Sequence, residues 1–423
     1  MQPYLVNLSS VAVKWTRERN DENAWSFLLV VFATSRLFFF GVGIAATALL
    51  PPMPLGERGD RGFSATASVL PANANPVGFL EPWASWDGVW YSFIATEGYS
   101  LEYPDTTAFF PLFPLLVRGG TLLGASPTLS GILVSLIACF FALFFLYQIA
   151  NELWDQKTAR ATTLCFAFFP TAFYLNAVYS EALFIALSTG SFWAARVQRN
   201  LLLAASLGAL AAATRNLGVL LLIPLASEWL RSRREFGWRG LWLGLVPTGL
   251  LAYMSFLWVH FGNLFITVER QASWRRHLQN PLTILETAWK EAMAGLKQVL
   301  DPATLFLYQG LEPSITAAGA VYFVLFTLFF LLLVVGVAFL PRVPKGLWVY
   351  SLLLVVVPVL TTSDTRVLTS TSRFELAAFP IFFVLGWLFS QTSLKPALWV
   401  WLLVSGAIGA AEAALFITGR WVV

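Results

Sequence analysis

Asp87 sits between two tryptophans in the run Trp86-Asp87-Gly88-Val89-Trp90-Tyr91, and Glu97, Glu102 and Asp105 follow within twenty residues. Carboxylates this dense, in a chain that is otherwise overwhelmingly apolar, mark a water-facing site handling a polar substrate. A carboxylate at a membrane boundary has the chemistry of a general base toward a sugar hydroxyl. The same residue also suits a helix N-cap, or a surface acid within an aromatic belt. The two readings stay open on residue types alone.

Other candidate groups are scattered along the chain. Tyr179-Ser180-Glu181 stands between two apolar runs, where Glu181 either hydrogen-bonds a sugar hydroxyl or caps a helix. Arg215, Arg275, Arg276 and Arg373 fall on the face opposite most of the basic residues. A lipid phosphate explains such violations of the topological bias, because guanidinium matches phosphate oxygens bidentately. Pairing with the acids of 51–107 or with lipid headgroups explains them too. In Phe109-Phe110-Pro111-Leu112-Phe113-Pro114 the two prolines break helical hydrogen bonding and predict a re-entrant turn whose role is shape.

The elements that must hold these groups are membrane helices. Of 423 residues, 57% are hydrophobic and only 12% charged, against roughly 25% charged in a soluble domain. Apolar runs at about 24–50, 127–150, 161–178, 182–197, 201–214, 217–230, 241–260, 314–340, 347–362, 374–390 and 396–418 predict an all-α polytopic bundle of about eleven spans. The first run is too long for a signal-peptide core and stays as a helix. Lys14, Arg17, Arg19, Lys157, Arg160, Arg196, Arg199, the cluster Arg231, Arg233, Arg234 and Arg239, then Arg342, Lys345 and Lys395 share one side of that topology. The positive-inside rule makes that side cytoplasmic.

Three stretches then lie outside: 51–126, 261–313 and 363–373. Residues 51–107 hold seven acids against two arginines. Within that first loop, 84–99 predicts a helix lying in the interface with Trp86, Trp90, Phe93 and Ile94 on one side. Arg215, in Thr214-Arg215-Asn216, predicts a helix break at the outer face, since a cation at depth is expensive unless it meets a cavity or an anion. The whole chain, 1–423, reads as one membrane domain, with a catalytic module over 1–235 and C-terminal helices over 236–423.

Several classes are excluded. The net charge of +4 is spread over loops, so nucleic acid is not a partner. Cys139 and Cys165 lie in apolar runs as small buried residues. Two histidines without HExxH, CxxC or DxD context leave no dedicated metal site and no metal or other cofactor is expected. Nor do His260 and His277 have the setting of an acyltransferase base. Oligomeric state is not legible.

The motifs Trp-Asp-Gly-x-Trp-Tyr-x-x-Ile-Ala-x-x-Gly-Tyr at 86–99, Ala-Phe-Phe-Pro-Leu-x-Pro at 108–114, Tyr-Ser-Glu-x-Leu-Phe at 179–184, Thr-Arg-x-x-Gly at 214–218, Gln-x-x-Trp-x-Arg at 271–276 and Arg-Phe-x-x-x-x-Phe-Pro at 373–380 resemble the PIG-V mannosyltransferase family, which in eukaryotes adds the second mannose to the glycosylphosphatidylinositol anchor precursor. The resemblance implies a GT-C glycosyltransferase fold and a polyprenyl-phosphate mannose donor. It also implies a lipid-linked acceptor and inverting transfer on the lumenal or periplasmic face. A prokaryotic host would place the protein in the plasma membrane, a eukaryotic one in the endoplasmic reticulum. Asp87 aligns with the family's first-loop aspartate and takes the role of base. Glu181, Arg215, Trp274 and Arg373 align as site-lining positions. Trp86, Trp90, Glu97, Asp105, Tyr179, Glu181, Gln271 and Trp274 are then the expected substrate contacts, and Arg215, Arg275, Arg276 and Arg373 the donor-phosphate contacts.

Chemistry agrees with that expectation. Inverting transfer needs a carboxylate to take the acceptor proton while the bond to the leaving group opens on the other face. A leaving lipid monophosphate develops less charge than a diphosphate, so arginines suffice to stabilise it. The competing reading, a flippase of lipid-linked sugars, asks for polar groups at the bilayer midplane and paired repeats.

Overall fold

The computed structural model describes residues 8–52, 78–308, 310–363, 366–420 and 422, without the side chains of 8–22, Trp274 and Thr392. The side chains of Lys14, Arg17 and Arg19, and residues 53–77 of the first loop, therefore lie outside what is described. Among the described residues the chain is helical throughout, with only isolated bridges between Arg276 and Ser363 and between Ser363 and Arg366. This is an all-α membrane protein. Polar caps start its helices: Ser126 accepts from the Leu129 amide at 3.1 Å, Asp155 from Thr158 at 2.8 Å and Asn200 from Leu203 at 3.0 Å. Each cap satisfies an amide that the first turn leaves unpaired.

Every one of the eleven apolar runs contains helix, but their lengths differ from a uniform set of spans. Five helical stretches are long and apolar enough to cross a membrane, namely Asn23–Leu49, Pro127–Leu153, Arg233–Phe261, Glu312–Phe339 and Lys395–Ile417. A sixth is the pair Thr371–Ala377 and Pro380–Ser390, bent by 69°. Pro380 supplies no N–H at that break. The remaining runs fold as shorter helices, because Thr214-Arg215-Asn216 and Phe169-Pro170 interrupt them.

The first loop departs further from expectation. Asp87–Thr96 is helical, but Tyr91 through Ala95 are all buried, so the helix is packed into the protein rather than laid on a lipid surface. It rests against the helix Leu112–Leu122, which folds back on Pro127–Leu153. Pro111 and Pro114 begin that helix instead of breaking it. They occupy its cap and first turn, where missing amides cost nothing.

Arg36, halfway along the apolar stretch Asn23–Leu49, is 3% exposed. Its guanidinium donates to Ala167 O at 2.9 Å, Ala172 O at 2.8 Å and Asn176 Oδ1 at 2.6 Å. These acceptors belong to or border the tight turn Pro170–Asn176, which is entirely buried. Irregular backbone at membrane depth survives only where protein satisfies it, and Arg36 is what does so here. Arg36→Met is expected to cost about 3 kcal/mol or more, from several orphaned acceptors. The check is the detergent melting temperature, which should fall well below that of the wild type. An unchanged melt would remove Arg36 from this role.

The amphipathic helix Pro281–Val299 lies along Glu312–Phe339, with Gly295 and Gly319 giving close approach. Glu291 faces this seam, and burial raises its carboxyl to about 7, against the opposing pull of the Val367 amide and Arg366. The native state therefore binds more protons than the unfolded chain between the ordinary carboxylate range and pH 7. Stability should decline as pH rises through that window and level off above it. Glu291→Gln should flatten the decline in a melting-temperature series from pH 4.5 to 8, whereas an unchanged slope in the variant would assign the titration elsewhere.

Candidate active site

The site begins with the turn Ala177–Ser180. Val178 N donates to Trp83 O at 3.0 Å, bringing the first loop against the start of the helix Glu181–Arg196. Gly88 makes this approach possible, since a Cβ there would meet Val178 O at 3.3 Å. The Asp87 amide donates to Tyr179 Oη at 3.2 Å, and that hydroxyl donates to Ser85 O at 3.2 Å. Tyr91 and Ser180 join their hydroxyls at 2.8 Å. Asp87 is thus fixed at the head of its helix by backbone contacts that leave its carboxylate available.

That carboxylate meets Arg373, 286 positions further along the chain. Arg373 Nη1 donates to Asp87 Oδ2 at 2.7 Å and lies 3.5 Å from Glu181 Oε1, while Nη2 donates to Ser370 Oγ at 2.9 Å. Its guanidinium carbon stands 5.5 Å from the ring centres of both Tyr174 and Tyr179, a cation–π setting. Arg215 Nη1 donates to the same Glu181 oxygen at 2.7 Å, with its guanidinium carbon 5.2 Å from the centre of the Phe374 ring. Gly218 holds this corner tight, because a Cβ there would strike the backbone of Ala211 and Ala212.

Burial grades across the cluster. Glu181 is 1% exposed and Arg373 9%, but the Asp87 side chain is 35% exposed. Arg373 holds Asp87 Oδ2, no hydrogen bond to Oδ1 is found among the described residues, and the side chain is partly open to solvent. Arg276 completes the group from the stretch 261–313. Burial, the positive field of Arg373 and, more weakly, that of Arg215 push its guanidinium down to about 10, with Asp87 pulling the other way. Three guanidiniums (Arg215, Arg276 and Arg373) face two carboxylates (Asp87 and Glu181), an excess of one positive charge. Such a pocket favours an anion.

Backbone strain collects at the same place. Of the four non-glycine residues with positive φ among those described, Trp86 precedes Asp87, Arg275 precedes Arg276, and Ser370 holds Arg373. Each conformation costs of order 1–3 kcal/mol and persists because the surroundings impose it.

The structure thus brings together Asp87, Tyr179, Glu181, Arg215, Arg276 and Arg373. Trp86 and Trp90 flank them, Trp90 stacked on Phe109 with ring centres 5.8 Å apart. Asp105 accepts from Ser273 at 2.9 Å, tying the first loop to that stretch beside Gln271. The side chain of Trp274 lies outside the described residues. Two expected members stand apart: Glu97 is exposed at the far end of its helix, about 15 Å along the axis from Asp87, and Arg275 is exposed with its backbone turned left-handed. Conversely, Ser370, Tyr91 and the Tyr174 and Phe374 ring faces were not singled out from sequence. Their types are too common in apolar runs to signal anything. Arg36 did carry a signal, a cation inside an apolar run, and was passed over.

Fold and site together define a multi-pass helical membrane protein whose charged pocket is built where helix ends meet connecting loops. Residues 58–226 match the family model described as Mannosyltransferase (PIG-V). GPI mannosyltransferase 2 of Drosophila melanogaster is 34% identical over 110 residues, which is 23% of this chain and 24% of that protein. The chain therefore aligns with about a quarter of that relative's length. The stretch that resembles the PIG-V family model contains the segment that contributes Asp87, Glu181 and Arg215. Among solved structures, the archaeal oligosaccharyltransferase AglB from Archaeoglobus fulgidus, in complex with an inhibitory peptide and a dolichol-phosphate, is 12% identical with a TM-score of 0.43, covering 93% of this chain and 56% of that one.

Proposed function

We propose that this chain is an inverting hexosyltransferase of the GT-C type, mannosyltransferase-like, moving a sugar from a polyprenyl-phosphate donor to a lipid-linked acceptor on the non-cytoplasmic face. The observation that carries the reading is Asp87, tethered through Oδ2 to Arg373 and partly open to solvent, beside an excess of guanidinium charge. Asp87 takes the acceptor hydroxyl proton on Oδ1 as that oxygen attacks the anomeric carbon. The bond to the donor phosphate opens on the opposite face, and Arg276 and Arg215 receive the developing phosphate charge. Arg373 orients the base rather than binding the donor alone. In this reading the guanidiniums supply the charge compensation and no metal is required. Transport of lipid-linked sugars fits less well, because Glu181 and Arg215 stand at helix ends rather than midway along spans.

The test is transfer of labelled mannose from polyprenyl-phosphate mannose into a lipid extract of the host, using the full chain in liposomes. Arg276→Ala should lower kcat/KM for the donor by about ten- to a hundredfold, the loss of a charged hydrogen bond. Arg276→Lys should recover part of that. Absence of transfer from any polyprenyl-phosphate hexose would overturn the reading, and an unaltered donor response in Arg276→Ala would remove that residue from phosphate binding.

A further inference from the structure

At the opposite end of the helices from Asp87 lies a second charged cavity, of about 470 Å³. The helix Glu181–Arg196 spans the distance between them: Glu181 begins it at the active site and Arg196 ends it at this cavity, about 22 Å away. Arg196, Arg231, Arg342 and Lys345 line the cavity, and no carboxylate does. Glu228 stands behind the wall, fully buried, 3.4 Å from Arg196 Nη1 and 3.9 Å from Arg231 Nη1. One buried negative charge against four cations leaves an excess of three. Arg196 Nε is buried with no hydrogen-bond partner.

The bowl is rigid. Helices ending at Leu153, Arg196 and Arg231 converge on it, and the turn Pro341-Arg342-Val343-Pro344 closes it between two prolines. Arg342 Nη1 donates to Leu153 O at 3.2 Å, a bond that fixes the guanidinium at the rim. Residues next to the lining are apolar and outward-facing: Leu230 is 59% exposed and Phe339 64%. Cations gathered in a preformed concavity with greasy shoulders match a phosphate carrying acyl chains. The positive-inside arrangement puts them in the leaflet where anionic lipids concentrate.

We propose that this cavity binds the phosphate of an anionic lipid headgroup on the cytoplasmic face, as a site separate from the transfer site. The full chain in phosphatidylcholine nanodiscs, supplemented with increasing phosphatidylglycerol, should retain phosphatidylglycerol in native mass spectrometry and melt at a higher temperature. The double variant Arg342→Gln/Lys345→Gln should bind it about thirtyfold more weakly, from two surface cations lost. The charge-preserving Arg342→Lys/Lys345→Arg should retain most of the affinity. Binding by the glutamine variant equal to wild type would overturn the site. Stabilisation of wild type by millimolar inorganic phosphate in pure phosphatidylcholine, matching that of phosphatidylglycerol, would overturn the lipid source and leave a soluble anion. Because neither residue touches the Asp87 cluster, failure here leaves the proposed transfer activity standing.

Discussion

Asp87→Asn is expected to slow hexose transfer by about 10²–10⁴-fold, the range for losing a general base. Expression and melting temperature should stay close to wild type. The amide oxygen of asparagine can still accept from Arg373 Nη1, as Oδ2 does at 2.7 Å, so the geometry of the pocket survives while its proton acceptor does not. Asp87→Glu should retain intermediate activity only if the longer side chain keeps the Arg373 contact. The measurement is single-turnover transfer from polyprenyl-phosphate mannose. Near-normal turnover by the asparagine variant would assign the proton to another group.

Arg373→Met should act differently, chiefly on the fold. It removes the cation shared by Asp87 and Glu181, and Glu181 lies almost wholly buried. Breaking a buried pair from one side costs about 3–5 kcal/mol when the remaining charge is stranded. Here Glu181 keeps Arg215 at 2.7 Å and Asp87 is partly exposed, so the loss should fall toward or below the lower end of that range. The combination Arg373→Met with Glu181→Gln should recover little of that stability, because it also removes the carboxylate that Arg215 pairs with. It should not recover transfer, because Asp87 remains unoriented. Rescue of both stability and turnover would mean that Arg373 is a purely structural counter-ion.

Much of the site was legible because its members are expensive residues in an apolar chain. Asp87, Glu181, Arg215 and Arg373 stand out by charge alone, and the structure places them in one cluster. The partnership is what sequence could not show. Arg373 was read with the donor phosphate, yet Asp87 and Glu181 already occupy part of its guanidinium. Helix lengths were misjudged for a related reason. The break at Arg215 is legible as a cation between two apolar runs, but hydropathy does not register where Pro170 turns the backbone, so the run 161–178 folds as a shorter helix and a tight turn. The apolar side chains of Asp87–Thr96 predict a helix facing lipid in the interface. They face protein instead, and composition cannot tell one apolar environment from the other.

The 286-position gap between Asp87 and Arg373 bears on how the chain is made. A ribosome delivers Glu181 and then, only 34 positions later, the arginine that neutralises it. Asp87 has no such early companion. Through most of translation the nascent chain carries Asp87 without the arginine that binds its carboxylate, and the pocket is finished only when the final third has been made. Truncated products that stop before that point would hold the acid groups but lack the assembled centre.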